Sequence, residues 1–142
     1  MFIDDMGYGD IGPFGNTVNK TPNLDRMAEE GIKLTQFYVA NTACTPSRAA
    51  LLTGTYAHRI GMDGGNGNLV VTFPGDSRGL NPSEITIAEM LRENGYATGC
   101  FGKWHLGDQP EFMPLNQGFD TYFGIPYSND MDTPQSVYKE KG

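Results

Sequence analysis

The sequence lacks several features that would place it in a specialised class of protein. It has no run of about 18 consecutive apolar residues, so it predicts no membrane-spanning helix. Lys and Arg number only 10 among 142 residues, against 17 Asp and Glu, which gives a formal net charge of -7. Nonspecific nucleic-acid binding needs clustered basic residues that neutralise phosphates, so we expect no nucleic-acid partner.

Cysteine is also scarce, since Cys44 and Cys100 are the only two. They could form one disulfide, but their spacing does not decide the pairing. Glycine is abundant at 19 residues and predicts many turns and close backbone approaches. A chain of this length buries about two-thirds of its unfolded surface, so we expect one domain or part of one.

The most informative segment runs from Cys44 to Gly54. Thr45 is a favourable helix N-cap, Pro46 suits the first helical position, and Gly54 is typical of the residue after a helix. The pattern predicts Cys44 just outside a helix N-terminus, where unpaired N–H groups favour a thiolate or oxyanion by about 0.3–1 kcal/mol. Arg48, one turn later, can lean back toward the same point. The alternative is a buried apolar Cys44 and a surface Arg48.

Two adjacent carboxylates stand near the start of the chain. Asp4 and Asp5 follow Phe2 and Ile3, which we interpret as the end of a buried strand. Ligands of open α/β sheets bind at such strand ends, and neighbouring carboxylates need a cation, hydrogen bonds or solvent beside them. Hard oxygen ligands suit calcium or magnesium, and a solvated turn is the alternative. Asp10 is better explained as a loop residue.

A third polar group follows residues 96–101, which we predict to be a strand. Lys103 and His105 come directly after this segment and are separated by one residue. In an extended backbone both side chains point to one side, and Trp104 packs on the other. The alternative is that the lysine and the histidine are ordinary surface or structural groups.

Helix and strand signals alternate along the chain. A Thr-Pro start and a Gly stop predict the first helix, and a capping box followed by Gly predicts the third. Helices are thus expected at residues 22–30, 46–53 and 87–94, and strands at residues 32–39, 69–73 and 96–101. This alternation predicts an α/β fold with a mixed, mostly parallel sheet flanked by helices on both faces.

Taken together, these segments resemble type I sulfatases, the formylglycine-dependent family that includes arylsulfatase A-like enzymes. The resemblance rests on three motifs in the order that the family shows, namely the runs from Asp4 to Asp10, from Cys44 to Gly54 and from Gly102 to Gly107. It implies an alkaline phosphatase-like fold, the N-terminal domain of sulfatases, which would be incomplete in this chain. We therefore expect residues 1–142 to be the N-terminal portion of a sulfatase catalytic domain, truncated at both ends.

The resemblance also implies a nucleophile and a cofactor. Cys44 would be oxidised after synthesis to Cα-formylglycine by a maturation enzyme, and a hydroxyl of its hydrate would attack the sulfur of a sulfate ester. Calcium would be bound by Asp4, Asp5 and the modified Cys44. Cys100 would then be left as a free thiol.

The remaining candidate residues take their roles from the same resemblance. Arg48 would hold the hydrate, Lys103 would contact the sulfate, and His105 would hydrogen-bond the hydrate and assist proton removal. Ser128 is similar in position to a serine that approaches the sulfate in arylsulfatase A-like enzymes. The alternative for Ser128 is a capping or loop serine.

The implied activity is hydrolysis of aryl or carbohydrate sulfate esters. Two alternatives stay open: hydrolysis of phosphonate monoesters or phosphodiesters with the same formylglycine motif, and a non-catalytic domain that binds sulfated glycans. The family supplies further metal ligands, a His and a Lys from a later region, so we expect the isolated fragment to be inactive. The family also implies a periplasmic, secreted or lysosomal location.

Overall fold

A computed structural model describes residues 1–65, 67 and 69–131, and the backbone of residues 138–141. The chain forms two compact units, Met1–Tyr38 and Val39–Gly142. In the described part of the chain, no helix combines the length and the apolar character needed to cross a bilayer.

The first unit, described throughout, contains one α-helix and no strand. Helix α1, Pro22–Glu30, starts directly after Thr21 and stops before Gly31, which confirms the prediction. The hydroxyl of Thr21 ties the helix to the preceding loop, because it accepts a hydrogen bond from the Gly12 amide and donates one to Asp25, both at 2.9 Å.

Two strand segments predicted within the first 39 residues are wrong. Phe2 and Ile3 are not in a strand, and residues 32–39 form irregular, exposed backbone. The strands that the structure describes pair only with one another, so neither segment has a partner among them. A β-branched, apolar composition fits a half-buried pleated surface, and without that surface it does not form a strand by itself.

The second unit contains two α-helices within its described residues. Helix α2 spans Cys44–Thr53, and Gly54 ends it with a left-handed φ of 67°, as predicted. Helix α3 spans Ile87–Glu93 and begins with the predicted capping box, in which Thr86 and Glu89 exchange hydrogen bonds of 2.7 and 3.2 Å.

The mixed sheet of the second unit has three described strands. They are β1, Gly99–Lys103, β2, Thr121–Ile125, and β3, Tyr138–Lys141, in the order β1-β2-β3. Strands β1 and β2 are parallel and β2 and β3 are antiparallel, so the α/β class with a mixed sheet is confirmed. Strand β1 starts three residues later than predicted, and residues 69–73 are irregular backbone.

The buried core of the second unit lies around the end of β1. Trp104 and Leu106 are buried in it, and they flank His105 in the sequence. The Trp104 indole donates a hydrogen bond of 2.9 Å to the carbonyl of Phe112 and packs edge-on against Phe119. The segment that follows β1 is therefore fixed by core packing on both sides of the histidine.

We expect the capping box of α3 to contribute measurably to stability. Thr86 is buried, and its hydroxyl also donates a hydrogen bond of 2.8 Å to the carbonyl of Gln117. In the full-length protein, Thr86→Ala should lower the free energy of unfolding by about 1–2 kcal/mol in a urea titration. Thr86→Ser should keep most of the wild-type free energy of unfolding. Ser83→Ala, at an exposed position, is the control. Equal stability of Thr86→Ala and wild type would contradict this account.

Candidate functional site

Cys44 is the first residue of α2 and is partly exposed. The predicted cap is wrong, because the helix starts after Ala43 and the Thr45 hydroxyl is bonded elsewhere. It donates to the carbonyl of His105 at 3.0 Å and accepts from the amide of Thr72 at 3.1 Å. No described side chain caps the helix, so the partial positive charge of its N-terminus remains directed at Cys44 and its surroundings.

The ammonium group of Lys103 contacts Cys44. Lys103 is the last residue of β1, and its Nζ donates to Cys44 Sγ at 3.1 Å. Both residues are partly buried. A cation and a helix N-terminus thus converge on one sulfur atom, an arrangement that favours negative charge at this point.

Arg48 joins α2 to the end of β1. Its Nη1 donates a short hydrogen bond of 2.6 Å to the carbonyl of Lys103, and Arg48 is partly buried. The bond brings a second cation close to the backbone that carries Lys103. The structure therefore brings Cys44, Arg48 and Lys103 together.

His105 is fully buried and has an unusual backbone conformation, with φ at 63°. Its amide donates to the carbonyl of Pro126 at 2.7 Å, and its Nε2 lies 3.0 Å from the carbonyl of Thr72. The extended geometry predicted for the segment from Lys103 to His105 is therefore wrong at its last residue. A left-handed φ costs a non-glycine residue energy, and these contacts hold it in place.

His105 also contacts the residues that directly follow β2. The rings of His105 and Tyr127 pack edge-on with centroids 5.3 Å apart. Burial raises the pKa of Tyr127, and the Asp108 and Asp76 carboxylates raise it further, so this phenol stays neutral beside the imidazole. Ser128 follows directly and is partly buried at the same edge of the sheet.

The two acidic residues proposed as metal ligands lie in the first unit. Asp4 and Asp5 are exposed, and Asp5 has a left-handed φ of 66°. The carboxylate of Asp10 accepts a hydrogen bond of 2.7 Å from the Gly7 amide, as suits a loop residue. Among the described residues, no three His, Cys, Asp or Glu side chains are grouped as a metal site. The chemistry of two carboxylates fits calcium, which takes about six to eight oxygen ligands, so this pair would supply part of the shell.

Sequence reasoning missed the part that Thr72 plays next to the histidine. Thr72 is fully buried and its backbone contacts both His105 and Thr45, yet its segment shows only a weak strand pattern. These contacts join residues 27 and 33 positions apart, and no local spacing encodes them.

Cys100 and Cys44 are both free thiols in the structure. Cys100 lies on β1 and is partly buried. Burial raises the pKa of its thiol to about 11, and the nearby Arg48 charge opposes part of this effect. Cys100 is therefore a cysteine of low reactivity.

Comparisons with known proteins agree on one family. The family model described as Sulfatase matches residues 1–141. The chain is 49% identical over 139 residues to arylsulfatase A of Homo sapiens, which covers 96% of this chain and 26% of that protein. It is 49% identical over 138 residues to steryl-sulfatase of Mus musculus, with coverages of 93% and 22%. The chain thus spans about a quarter of the length of these relatives.

A solved structure gives the same result for the fold. The crystal structure of Ps i-CgsB in complex with k-i-k-neocarrahexaose matches with a TM-score of 0.79 at 40% sequence identity. The match covers 88% of this chain and 27% of that one. The α/β architecture described above is therefore part of a larger known fold.

We expect Cys100 to resist alkylation. Raising its pKa from the ordinary value of 9.0 to about 11 lowers the thiolate fraction at pH 8 by about 100-fold. Iodoacetamide labelling of the Cys44→Ser variant, followed by mass spectrometry of the Cys100 peptide, should therefore be slow at pH 8 and accelerate up to about pH 11. The urea-unfolded protein is the control. Its labelling rate should rise around the ordinary thiol pKa of 9.0. Equally fast labelling of folded and unfolded protein would show that burial does not protect this thiol.

Proposed function

Because the chain belongs to the sulfatase family, we propose that the protein containing it hydrolyses aryl or carbohydrate sulfate esters. The observation that carries this proposal is the 3.1 Å contact between Lys103 Nζ and Cys44 Sγ at the start of α2. A sulfate ester is an anion, and the contact supplies a fixed cation beside the side chain proposed as the nucleophile. We further propose that residues 1–142 are the N-terminal portion of the catalytic domain.

The nucleophile of the proposal is Cα-formylglycine, made from Cys44 by a maturation enzyme. In its hydrated form it supplies one hydroxyl that displaces the alcohol from sulfur, and a second whose deprotonation expels sulfate and restores the aldehyde. The position of Cys44 supports this role, because the residue is partly exposed and stands at a helix N-terminus. Both features favour an accessible, negatively charged oxygen at this side chain.

Lys103, Arg48 and His105 then act on this centre according to their charges. Lys103 binds the anionic oxygens of the sulfate group, which gain charge as the ester bond breaks. Arg48 holds the Lys103 backbone through its 2.6 Å hydrogen bond and adds positive charge that orients the hydrate. His105 accepts the proton that leaves the hydrate when sulfate departs. Ser128, at the same sheet edge, is proposed to contact the sulfate.

Calcium is the metal that the family resemblance implies, and Asp4 and Asp5 would be ligands to it. When bound, it supplies positive charge for the sulfate oxygens and lowers the cost of a deprotonated hydroxyl. The two carboxylates supply hard oxygen ligands, which is the donor chemistry that this cation prefers.

The relatives bear on the choice between substrate classes. An arylsulfatase and a steryl-sulfatase are each 49% identical to this chain, which does not favour the phosphonate or the binding-only alternative. The related Ps i-CgsB is bound to k-i-k-neocarrahexaose, which supports carbohydrate sulfates within the proposed class. The arylsulfatase relative supports aryl sulfates within the same class.

The first test of the proposal is the chemical state of residue 44 together with turnover. The full-length protein, produced with a formylglycine-generating enzyme, should show the Cys44 peptide with the mass decrease of a thiol converted to an aldehyde. It should hydrolyse an aryl sulfate faster than the matching aryl phosphonate, and Cys44→Ala should remove the activity. Turnover by a protein whose Cys44 stays a thiol would refute the mechanism, and a preference for the phosphonate would refute the substrate class.

The second test concerns the lysine. Lys103→Ala should lower kcat/KM for an aryl sulfate by about 100-fold or more, since one preorganised charge contact to the transition state is lost. Lys20→Ala is the matched control, because Lys20 is exposed and contacts the carbonyl of Thr17. Formylglycine content should be measured in both variants so that only matured enzyme is compared. A Lys103→Ala variant as active as the control would contradict the proposed role of the contact between Lys103 and Cys44.

A further inference from the structure

Thr45, Thr72 and His105 form a closed ring of hydrogen bonds, called here the threonine–histidine ring. The Thr45 hydroxyl donates to the His105 carbonyl at 3.0 Å and accepts from the Thr72 amide at 3.1 Å. The Thr72 carbonyl lies 3.0 Å from Nε2 of His105 and closes the ring. All three residues have 0% exposure, so water does not compete for these groups.

The contact at Nε2 decides which nitrogen of His105 carries hydrogen. A backbone carbonyl has lone pairs and no hydrogen to donate, so Nε2 must be the donor at 3.0 Å. In a neutral imidazole with hydrogen on Nε2, Nδ1 carries the lone pair. A proton taken up by this neutral imidazole therefore goes to Nδ1.

The Thr45 hydroxyl is the side chain that holds the ring together. It uses its donor for His105 and its acceptor for Thr72, and its own residue follows Cys44 directly in α2. The Thr72 hydroxyl gives weaker support, at 3.4 Å from both the His105 carbonyl and the Thr45 hydroxyl. Loss of the Thr45 hydroxyl leaves the buried Thr72 amide without this acceptor and loosens the left-handed backbone of His105.

We propose that Thr45 and Thr72 are positioning residues that fix His105 in the Nε2-protonated form and so present Nδ1 as the proton acceptor of the reaction. This inference rests on the proposed sulfatase function, since it specifies how the histidine of that site is oriented. Thr45, next to the proposed nucleophile, thus connects the start of α2 to the histidine that follows β1.

The kinetic test compares two replacements of Thr45 in the full-length protein. Thr45→Val keeps the shape and removes the hydroxyl, whereas Thr45→Ser keeps the hydroxyl. After correction for formylglycine content, kcat for an aryl sulfate should fall about tenfold or more in Thr45→Val with KM changed less than about threefold. Thr45→Ser should stay within about threefold of wild type. Unchanged kcat in Thr45→Val, or an equal loss in Thr45→Ser, would overturn the proposal.

A second measurement reads the tautomer without turnover. In full-length protein labelled with ¹⁵N-histidine, the imidazole signal of His105 is assigned by its absence in a His105→Gln variant. The wild type should carry hydrogen on Nε2, and Thr45→Val should show a mixture of tautomers. If wild-type His105 carries hydrogen on Nδ1 alone, the threonine–histidine ring is wrong, whatever the activity of the protein. Nε2 protonation in a protein that hydrolyses no sulfate ester would support the ring and refute the proposed function alone.

Discussion

The second unit depends on the continuation of the β1–β2 hydrogen-bond ladder past the end of β1. The Trp104 amide donates to the carbonyl of Ile125, the last residue of β2, at 2.9 Å, and the His105 amide donates to the carbonyl of Pro126 at 2.7 Å. Because the strands are parallel, both carry their following loops to one edge of the sheet. This ladder places Lys103 against Cys44 and His105 against the threonines.

Electrostatics at this edge differ from those of the chain as a whole. The sequence carries a formal net charge of -7, yet Lys103, Arg48 and the start of α2 bring positive charge or partial charge to Cys44. Local geometry sets the field in a site, and total charge sets only the long-range background. An acidic chain is therefore compatible with the binding of an anionic group here.

Local signals in the sequence predicted local structure well. The capping box at Thr86 and the glycine after α2 fixed helix ends within about a residue, because caps satisfy backbone groups close in sequence. Long-range contacts were not predictable in this way. Thr45 was expected to cap α2, but it bonds to His105, 60 residues later, where a buried carbonyl and amide need partners. The strand predicted at residues 32–39 does not form, for a related reason: a strand needs a pairing partner, which composition does not reveal.

The proposed function requires the side chain at position 44, with Lys103 beside it, to receive the sulfate group of the substrate. A crystal structure of the full-length Cys44→Ala variant with a bound aryl sulfate would test it directly. The account predicts a sulfate group within about 3.5 Å of the side chain at position 44. Nζ of Lys103 should lie within hydrogen-bonding distance of a sulfate oxygen. A sulfate group bound away from position 44, with Lys103 making no contact to it, would contradict the account.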